Sequence, residues 1–223
     1  MEKRSLVIGS YDTARDGLWT LSALTLSTPE QQTYFVDVKG RDGPLDFSTA
    51  MTDGEPRYGS RILSATLESS EGTRAERHDR ISAMMNALDG YRFDIYHPDY
   101  PLHYLSGRVK IAEEYNDPAH AAVAVTVTCD PWLYSRTARV YTVTATATPQ
   151  VLALSNKGRR VVAPQLIVTG DSAAITIEYG ASSRTLTAGT YDLVDLPVAP
   201  GNVVVTYYGT GAAKFAYREA VLR

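Results

Sequence analysis

Alternation of apolar and polar residues with a period of two runs through most of this chain, and it constrains the fold more than any other feature. In the first half, six segments alternate in this way or are rich in β-branched and aromatic residues, with Gly, Pro, Asp or Asn at their ends. These segments are 19–27, 33–38, 58–69, 91–97, 103–114 and 121–130. The pattern predicts that this half is mainly β-structure.

One segment of the first half has a helical period instead. Four apolar residues at i, i+3, i+4 and i+7 form a single stripe, and Arg77 falls outside it; the four are Ile81, Met84, Met85 and Leu88. Thr73 and Glu76 have the spacing of a capping box, and Gly90 stands where a helix commonly ends in a left-handed residue. The sequence therefore predicts one helix over about residues 74–89, with its stripe on one face of a sheet.

The second half has a different rhythm. Turn residues separate short strand-like segments about every 8 to 12 positions, which is typical of an antiparallel β-sandwich. The segments are 139–148, 165–170, 173–180, 182–188, 190–196, 202–209 and 213–221. Asp130-Pro131 and a polar step at 135–137 interrupt the alternation before them. We therefore predict two domains, residues 1–135 with the helix and residues 136–223 without one.

Charge and cysteine content exclude several classes of protein. The net charge of −3 and the pI near 5.8 lack the basic footprint that holds nucleic acid through counterion release. The single cysteine, Cys129, forms no intrachain disulfide, which suits assembly in a reducing cytosol. The start "MEKRSLVIGS" lacks the apolar core of a signal peptide or a spanning helix, so we expect neither a cleaved export signal nor a membrane anchor.

The segment 38–61, between two alternating runs, is dense in Gly, Pro and charged residues. Its charged side chains suit a catalytic site, a metal site or a solvated loop, and include Arg41, Asp42, Asp46, Asp53, Glu55, Arg57 and Arg61. Gly40 and Gly43 permit a sharp turn, and 52–54 is a second turn signal. The apolar Leu45, Phe47 and Met51 predict an ordered loop that docks on a surface, with charges paired within the loop or with another copy.

The residues that could ligate a metal show no established metal-binding spacing. The histidines are His78, His97, His103 and His120, and neither an HExxH motif nor a cysteine pair accompanies them. His97 and His103 lie at adjoining strand ends and could meet across the hairpin, but ordinary turn positions are the favoured interpretation. Cys129 lies in an alternating strand and is interpreted as a small core residue. We therefore predict no metal and no cofactor.

Paired carboxylates are the better basis for an enzymatic hypothesis. Asp42 with Asp46, or Glu113 and Glu114 with Asp117, could supply the acid and base of glycoside hydrolysis. Such pairs are common on β-protein surfaces, where they usually solvate turns and strand edges. No nucleophile elbow, P-loop or dinucleotide-binding fingerprint occurs in the chain. The favoured prediction is that the protein is not an enzyme.

Several stretches together resemble a known family. They are "VKGRDGPLDFST", "YGSRILSATLES", "MMNALDGYRFDIYHPDYPLHYLSGRVKI" and "VTVTCDPWLY", which occur in this order within residues 4–134. This part of the chain resembles the N-terminal domain of the distal tail protein (Dit) family of long-tailed, siphovirus-type bacteriophages. The resemblance implies a mainly β fold: an N-terminal β-sandwich or split-barrel-like domain with one helix, then a C-terminal galectin-like antiparallel β-sandwich. The C-terminal half matches only in its β-rich pattern.

The resemblance implies a structural role in the virion. The N-terminal domains would form a hexameric ring at the tail tip, assembled in the host cytoplasm. This baseplate hub would join the tail tube protein to the tail-associated, fibre or other receptor-binding proteins, while DNA passes through without specific binding. The loop would make the subunit contact through Arg41, Asp42, Asp46, Phe47, Arg57 and Arg61.

Two other classes of function stay open. A carbohydrate-binding module could use stacking faces from Tyr179, Tyr191, Tyr207, Tyr208 and Tyr217, although aromatic residues in strands mostly serve packing. The second alternative is a tail-associated glycan hydrolase that uses the scattered carboxylates.

Overall fold

A computed structural model of the chain describes residues 5–50, 52 and 54–222. It divides into two compact units, the first ending at Leu133 and the second running from Tyr134 to Leu222. Antiparallel strands dominate both units, so the predicted mainly β fold is confirmed. The separate roles that the sequence suggests for the two halves stay predictions.

Within the described residues, the first unit contains two helices and eleven strands before the strand that crosses the junction. The elements before the junction are β1 (Val7–Ile8), β2 (Tyr11–Asp12), α1 (Thr13–Gly17), β3 (Thr20–Leu26), β4 (Gln31–Gln32), β5 (Phe35–Val36), β6 (Leu45–Asp46), β7 (Arg57–Tyr58), β8 (Arg61–Ser69), α2 (Arg74–Leu88), β9 (Arg92–Tyr96), β10 (His103–Asn116) and β11 (Ala121–Cys129). The main sheet runs in the order β2-β1-β9-β10-β11-β8-β3.

Register gives this sheet one apolar face. Val109 on β10 lies opposite Val127 on β11, which lies opposite Leu63 on β8, and all three are buried. One residue along, Lys110 lies opposite Thr126 on the other face. Since successive side chains of a strand point to opposite faces, the alternation in the sequence becomes a buried face and a polar face.

Helix α2 begins as predicted but buries a different stripe. The capping box of Thr73 and Glu76 is present, and Gly90 has a φ of 80° after the helix ends. Arg77 is buried, whereas Met85 is only half-buried. The interpretation that Arg77 falls outside the stripe was therefore wrong. It lies four residues before Ile81, on the same helical face, and its guanidinium has internal hydrogen-bond partners.

Helix α1 is a single turn that the sequence patterns do not predict. The Asp12 side chain caps it by accepting hydrogen bonds from the backbone N–H groups of Ala14 and Arg15. The turn ends at Leu18, which has a left-handed φ of 57°. The cap explains a helical turn that is too short to show a period.

The second unit is built from strands. They are β12 (Leu133–Ser135, which begins at the junction), β13 (Arg139–Ala145), β14 (Gln150–Asn156), β15 (Gln165–Tyr179), β16 (Ser182–Thr187), β17 (Gly189–Asp192), β18 (Gly201–Tyr217) and β19 (Ala220–Val221). Its main sheet runs β13-β18-β15-β16, with β14 also paired to β18 and β17 also paired to β15. Leu154, Leu166, Ile175, Val205 and Phe215 are fully buried in its core.

Two pairs of predicted strands are continuous in the structure. Segments 165–170 and 173–180 fall on β15, which ends at Tyr179. Segments 202–209 and 213–221 fall on β18 as far as Tyr217, and Ala220–Val221 then form β19. The pairing of β15 with β18 changes register between Thr169 and Ala174 of β15. Near this point β18 has Gly209 and Gly211 at positive φ. The irregularity interrupts the alternation without ending the strands. Strand β14 was not predicted, although its buried Leu154 and half-buried Leu152 alternate with exposed residues.

The described residues include no helix with the length and apolar character needed to cross a membrane.

Candidate functional site

The charged loop of the first unit is an ordered β-hairpin, which we call the arm (residues 28–50, 52 and 54–60). At its base β4 pairs with β7, so that Gln31 lies opposite Tyr58. Farther out β5 pairs with β6, so that Phe35 lies opposite Asp46. The Arg41 N–H donates to the Val38 carbonyl at 3.2 Å and closes the turn at the tip. The predicted strand over 33–38 is thus only the two residues of β5.

Arg61 holds the base of the arm to the sheet. Its Nε donates to the Ser27 carbonyl at 3.0 Å, and the Ser27 hydroxyl accepts from the Ile62 N–H at 2.7 Å. The Arg61 side chain is buried, which lowers its pKa by desolvation. Tyr58 packs edge-on against Trp132, with ring centroids 5.8 Å apart. Both strands at the base are therefore held, β4 through the adjoining Ser27 and β7 through Tyr58.

Beyond the base, the arm is held only by its own residues. Among the described residues between 28 and 60, each backbone or side-chain hydrogen bond joins two residues of the arm. The Tyr34 N–H donates to the Ser48 hydroxyl at 2.8 Å, and the Phe47 N–H donates to the Tyr34 carbonyl at 2.8 Å. A two-stranded hairpin alone is marginally stable in water, so a contact with another surface would stabilise the arm.

The arm has one apolar face. The β5–β6 pairing places Val36 opposite Leu45, and the bond from the Phe47 N–H to the Tyr34 carbonyl continues it, so that these four residues share a face. Val38 adjoins them where the tip turn begins. Tyr34 is 64% exposed and Val38 and Phe47 are each 42% exposed. Phe35 and Asp46 lie on the opposite face. A contiguous apolar face left in solvent is typical of an interaction surface.

The predicted contact residues have different local roles. Asp46 accepts from the Ser48 N–H at 2.8 Å, and hydrogen bonds from Ser48 lower the pKa of this carboxyl group. Arg41 and Asp42 are exposed at the tip, and neither side chain bonds to a residue in the described part of the chain. Arg57 is exposed on β7, whereas Arg61 is buried. Asp42, Arg41 and Phe47 therefore remain available to a partner.

A compact excursion follows β6 within the arm. The Thr52 hydroxyl lies 3.1 Å from the Thr49 carbonyl oxygen and 2.5 Å from the Glu55 carbonyl oxygen, and it can donate its one hydrogen to either of them. This confirms the second turn that the sequence indicates around Thr52 and Gly54. Met51 and Asp53, which the sequence interpretation also named, lie outside the described residues.

The histidines and the cysteine have structural surroundings. His97 is buried and its Nδ1 accepts from the Asp99 N–H at 3.1 Å, while its ring lies 4.7 Å from that of Tyr100. The described residues contain no cluster of three His, Cys, Asp or Glu side chains that could hold a metal ion. Cys129 is buried, and desolvation raises the pKa of its thiol to about 12. A thiol with this pKa is a poor nucleophile at neutral pH.

One of the carboxylates considered for hydrolysis closes a hairpin turn. Asp117 accepts from the backbone N–H groups of Ala119 at 2.8 Å and His120 at 2.6 Å, in the turn between β10 and β11. These hydrogen bonds lower the pKa of the Asp117 carboxyl. A carboxylate with a lowered pKa is a poor general acid at neutral pH, so the geometry favours a structural role.

The tyrosines considered for sugar stacking are mostly engaged in packing. Tyr207 and Tyr217 are buried, and the Tyr217 hydroxyl donates to the Ser155 carbonyl at 2.8 Å. The Tyr208 hydroxyl donates to Glu178 at 2.9 Å, and the Tyr191 hydroxyl donates to the Thr187 carbonyl at 3.1 Å. Tyr179 lines a cavity. These side chains do not offer a common platform for a sugar ring.

The comparison with solved structures identifies a similar fold. No protein-family model and no curated protein sequence matches the chain. The crystal structure of the Dit protein (gp 19.1) of phage SPP1 matches with a TM-score of 0.66 and 16% sequence identity, over 98% of this chain and 99% of that chain. That protein is described as a paradigm of the hub adsorption apparatus in phages that infect Gram-positive bacteria. At this identity the match concerns the fold, and it confirms the predicted resemblance to Dit at that level.

Proposed function

We propose that this protein is a structural hub of a phage tail tip. The hub is a hexameric ring that joins the tail tube to the receptor-binding apparatus and leaves a central channel for DNA. The observation that carries the proposal is the fold match with SPP1 Dit, which spans both units and nearly the full length of both chains. A match limited to one β-sandwich would be weak support, because sandwiches occur in proteins of many functions.

The arm supports assembly with other copies of the chain. Closed rings use heterologous interfaces, in which a surface of one subunit packs on a different surface of the next. The apolar face of the arm has the exposed aromatic residues that such an interface buries, with Arg41 and Asp42 at its tip for charge-assisted pairs.

The net charge suits a channel that DNA passes. A charge of −3 does not favour retention of a polyanion.

Native mass spectrometry and negative-stain microscopy of the full-length protein test the ring. We expect six-fold rings that become more abundant with protein concentration. Exclusively monomeric protein at every concentration, also after co-expression with the tail tube protein of the same phage, would overturn the proposal.

Substitutions on the two faces of the arm test the mode of assembly. Val38→Ser together with Phe47→Ser removes apolar area from the proposed contact face, and we expect loss of rings. Phe35→Ser is the matched control, because it removes an exposed aromatic side chain from the opposite face of the same hairpin. Equal effects of the two changes would contradict the assignment of the contact face.

A further inference from the structure

A cavity of about 260 Å³ lies in the second unit, beside the turn that joins β15 to β16. Its floor consists of four aliphatic side chains of the core, Ile177, Leu186, Leu193 and Leu196. Arg184 and Asp195 stand at its rim, with Nη1 and Oδ2 4.0 Å apart. The proposed ring makes no use of this cavity.

The position of Arg184 explains why the floor is open. In the β15–β16 ladder, Leu186 lies opposite Ile175, and Arg184 lies opposite Ile177. Since residues two apart share a face, Arg184 occupies the core face next to the buried Leu186. A guanidinium group stays hydrated, so its stem can lie along the apolar floor without sealing it. The core is thus accessible at a position where a larger apolar side chain would close it.

The ion pair across the rim is a weak barrier. The Arg184 and Asp195 side chains are 55% and 77% exposed, and surface pairs of this kind contribute little to stability. An incoming apolar group could therefore separate the pair at small cost.

Strand β16 supplies unpaired backbone groups next to the cavity. It is an edge strand, and the two-residue turn 180–181 closes on the pair of Tyr179 and Ser182. Because alternate residues of an antiparallel pair turn their backbone groups outward, Ser183, Thr185 and Thr187 present theirs to the open edge. The Thr187 carbonyl accepts from Tyr191, whereas the backbone groups of Ser183 and Thr185 on this edge have no partner among the described residues.

We propose that this cavity and the edge of β16 bind an extended peptide segment of a partner protein. The segment adds to the sheet through the backbone groups of Ser183 and Thr185 and places one Leu or Phe side chain between Arg184 and Asp195. Strand addition supplies main-chain hydrogen bonds, while the pocket selects the side chain. This peptide binding is separate from the proposed ring, because the site lies in the second unit and does not require hexamer formation.

Size and chemistry favour a peptide side chain over a saccharide. Sites for drug-sized ligands have volumes of about 300–1,000 Å³, and the cavity of about 260 Å³ is smaller. Its floor is aliphatic, which suits an apolar anchor. When the anchor separates the rim pair, Arg184 can bind an acidic residue. That residue should lie two positions from the anchor, because the side chains of a strand alternate.

Fluorescence anisotropy with a labelled synthetic peptide, Thr-Asp-Thr-Leu-Thr-Thr, tests the proposal on the full-length protein. We expect saturable binding, with affinity reduced about tenfold when Ser replaces the Leu of the peptide. Absence of saturable binding, or equal affinity for the two peptides, would overturn the proposal. Binding of an oligosaccharide of N-acetylglucosamine with no peptide binding would also overturn it, in favour of a glycan site. Peptide binding does not depend on ring formation, so the anisotropy result can be interpreted even if the protein forms no ring.

Three variants locate the binding site. Ser182→Trp fills the cavity, with Val151→Trp on an exposed position of β14 as its control. Thr185→Pro blocks the free edge by removing an outward N–H, and it also removes the exposed hydroxyl that bonds to Thr176 at 2.8 Å. We expect both changes at β16 to reduce binding at least tenfold while circular dichroism and thermal unfolding stay like those of the native protein.

The third variant reverses the charge of the rim. Arg184→Glu changes an exposed side chain and leaves the floor intact. It should prefer a peptide with Lys in place of Asp, whereas the native chain prefers Asp. An unchanged preference in this variant, or full binding by the two β16 variants, would contradict the assigned site.

Discussion

Arg77 is a charged residue that is almost fully buried, although its side chain suggests a position in solvent. Arg77 is 1% exposed, and its guanidinium donates to the Gly72 carbonyl at 2.5 Å and to the Asp117 carbonyl at 2.6 Å. It therefore joins the start of α2 to the turn between β10 and β11, about 40 residues along the chain. A charged residue in a helical pattern is usually assigned to the solvent face, and only the distant carbonyl makes its burial favourable.

Arg77→Ala should destabilise the first unit by about 3 kcal/mol, because it leaves two carbonyls without a charged donor and opens a cavity. The free energy of unfolding from urea titration measures the change. Arg74→Ala, at an exposed position on the same helix, is the control and should cost under about 0.5 kcal/mol. If both variants lost a similar free energy of unfolding, Arg77 would contribute only its helix propensity.

At the scale of elements, sequence patterns predicted the features that depend on neighbouring residues, namely where a helix begins and which face of a strand is buried. The capping box at Thr73 places the start of α2, and the alternation in β8, β10 and β11 matches their buried faces. The continuity of β15 and β18 was not predictable in this way, because the glycines that interrupt the alternation are accommodated by pairing between distant segments. The arm was predicted as an ordered loop with turns, but its amphipathic face depends on the register of β5 with β6.

The start of α2 and the β10–β11 turn should make the first unit sensitive to acid. Hydrogen bonds from Thr73 lower the pKa of Glu76 below its ordinary 4.5, and those from His120 and Ala119 lower the pKa of Asp117 below its ordinary 3.8. Groups with a lowered folded-state pKa stabilise the fold above their unfolded-state pKa and lose this contribution as pH falls through the folded-state value.

Urea unfolding from neutral pH down to about pH 3 measures this dependence. We expect stability to fall with pH below about 4.5, and Glu76→Gln with Asp117→Asn to flatten the fall. Glu55→Gln, at an exposed carboxylate of the arm, is the control and should leave the slope unchanged. An unchanged slope in the double variant would contradict the assignment.

At the scale of the whole molecule, the sequence predicted two halves of different character, and the chain divides into compact units at Leu133 and Tyr134. Arg136 is exposed just after this point, whereas Arg139 is half-buried and bonds to Glu219 with Nε and Oε1 3.0 Å apart. Arg136 is therefore more accessible than Arg139. Pairing with Glu219, 80 residues later, could not be inferred from local sequence.

Limited digestion with trypsin tests whether the halves are separable domains. We expect early cleavage after Arg136 and two resistant fragments, because exposed connections between compact units are the preferred sites of proteolysis. Arg136→Gln should delay this cleavage, while Arg184→Gln, at an exposed arginine within β16, should not. Mass spectrometry identifies the cut. Resistance at this position in the native chain would indicate that the two halves behave as one body.

Asp42 at the tip of the arm distinguishes assembly from catalysis in the whole molecule. Its side chain bonds to no residue in the described part of the chain, so Asp42→Ala should change the stability of the monomer by under about 1 kcal/mol. If the tip is buried against a neighbouring copy, the same change leaves a partner charge unpaired and costs roughly 3 to 5 kcal/mol when burial is complete, which is enough to disrupt a ring. Native mass spectrometry should then show monomers with unchanged circular dichroism. A hydrolase that uses Asp42 predicts the reverse, an intact ring with lost cleavage of cell-wall glycans, and that outcome would refute the structural account because the variant separates the two roles in one chain.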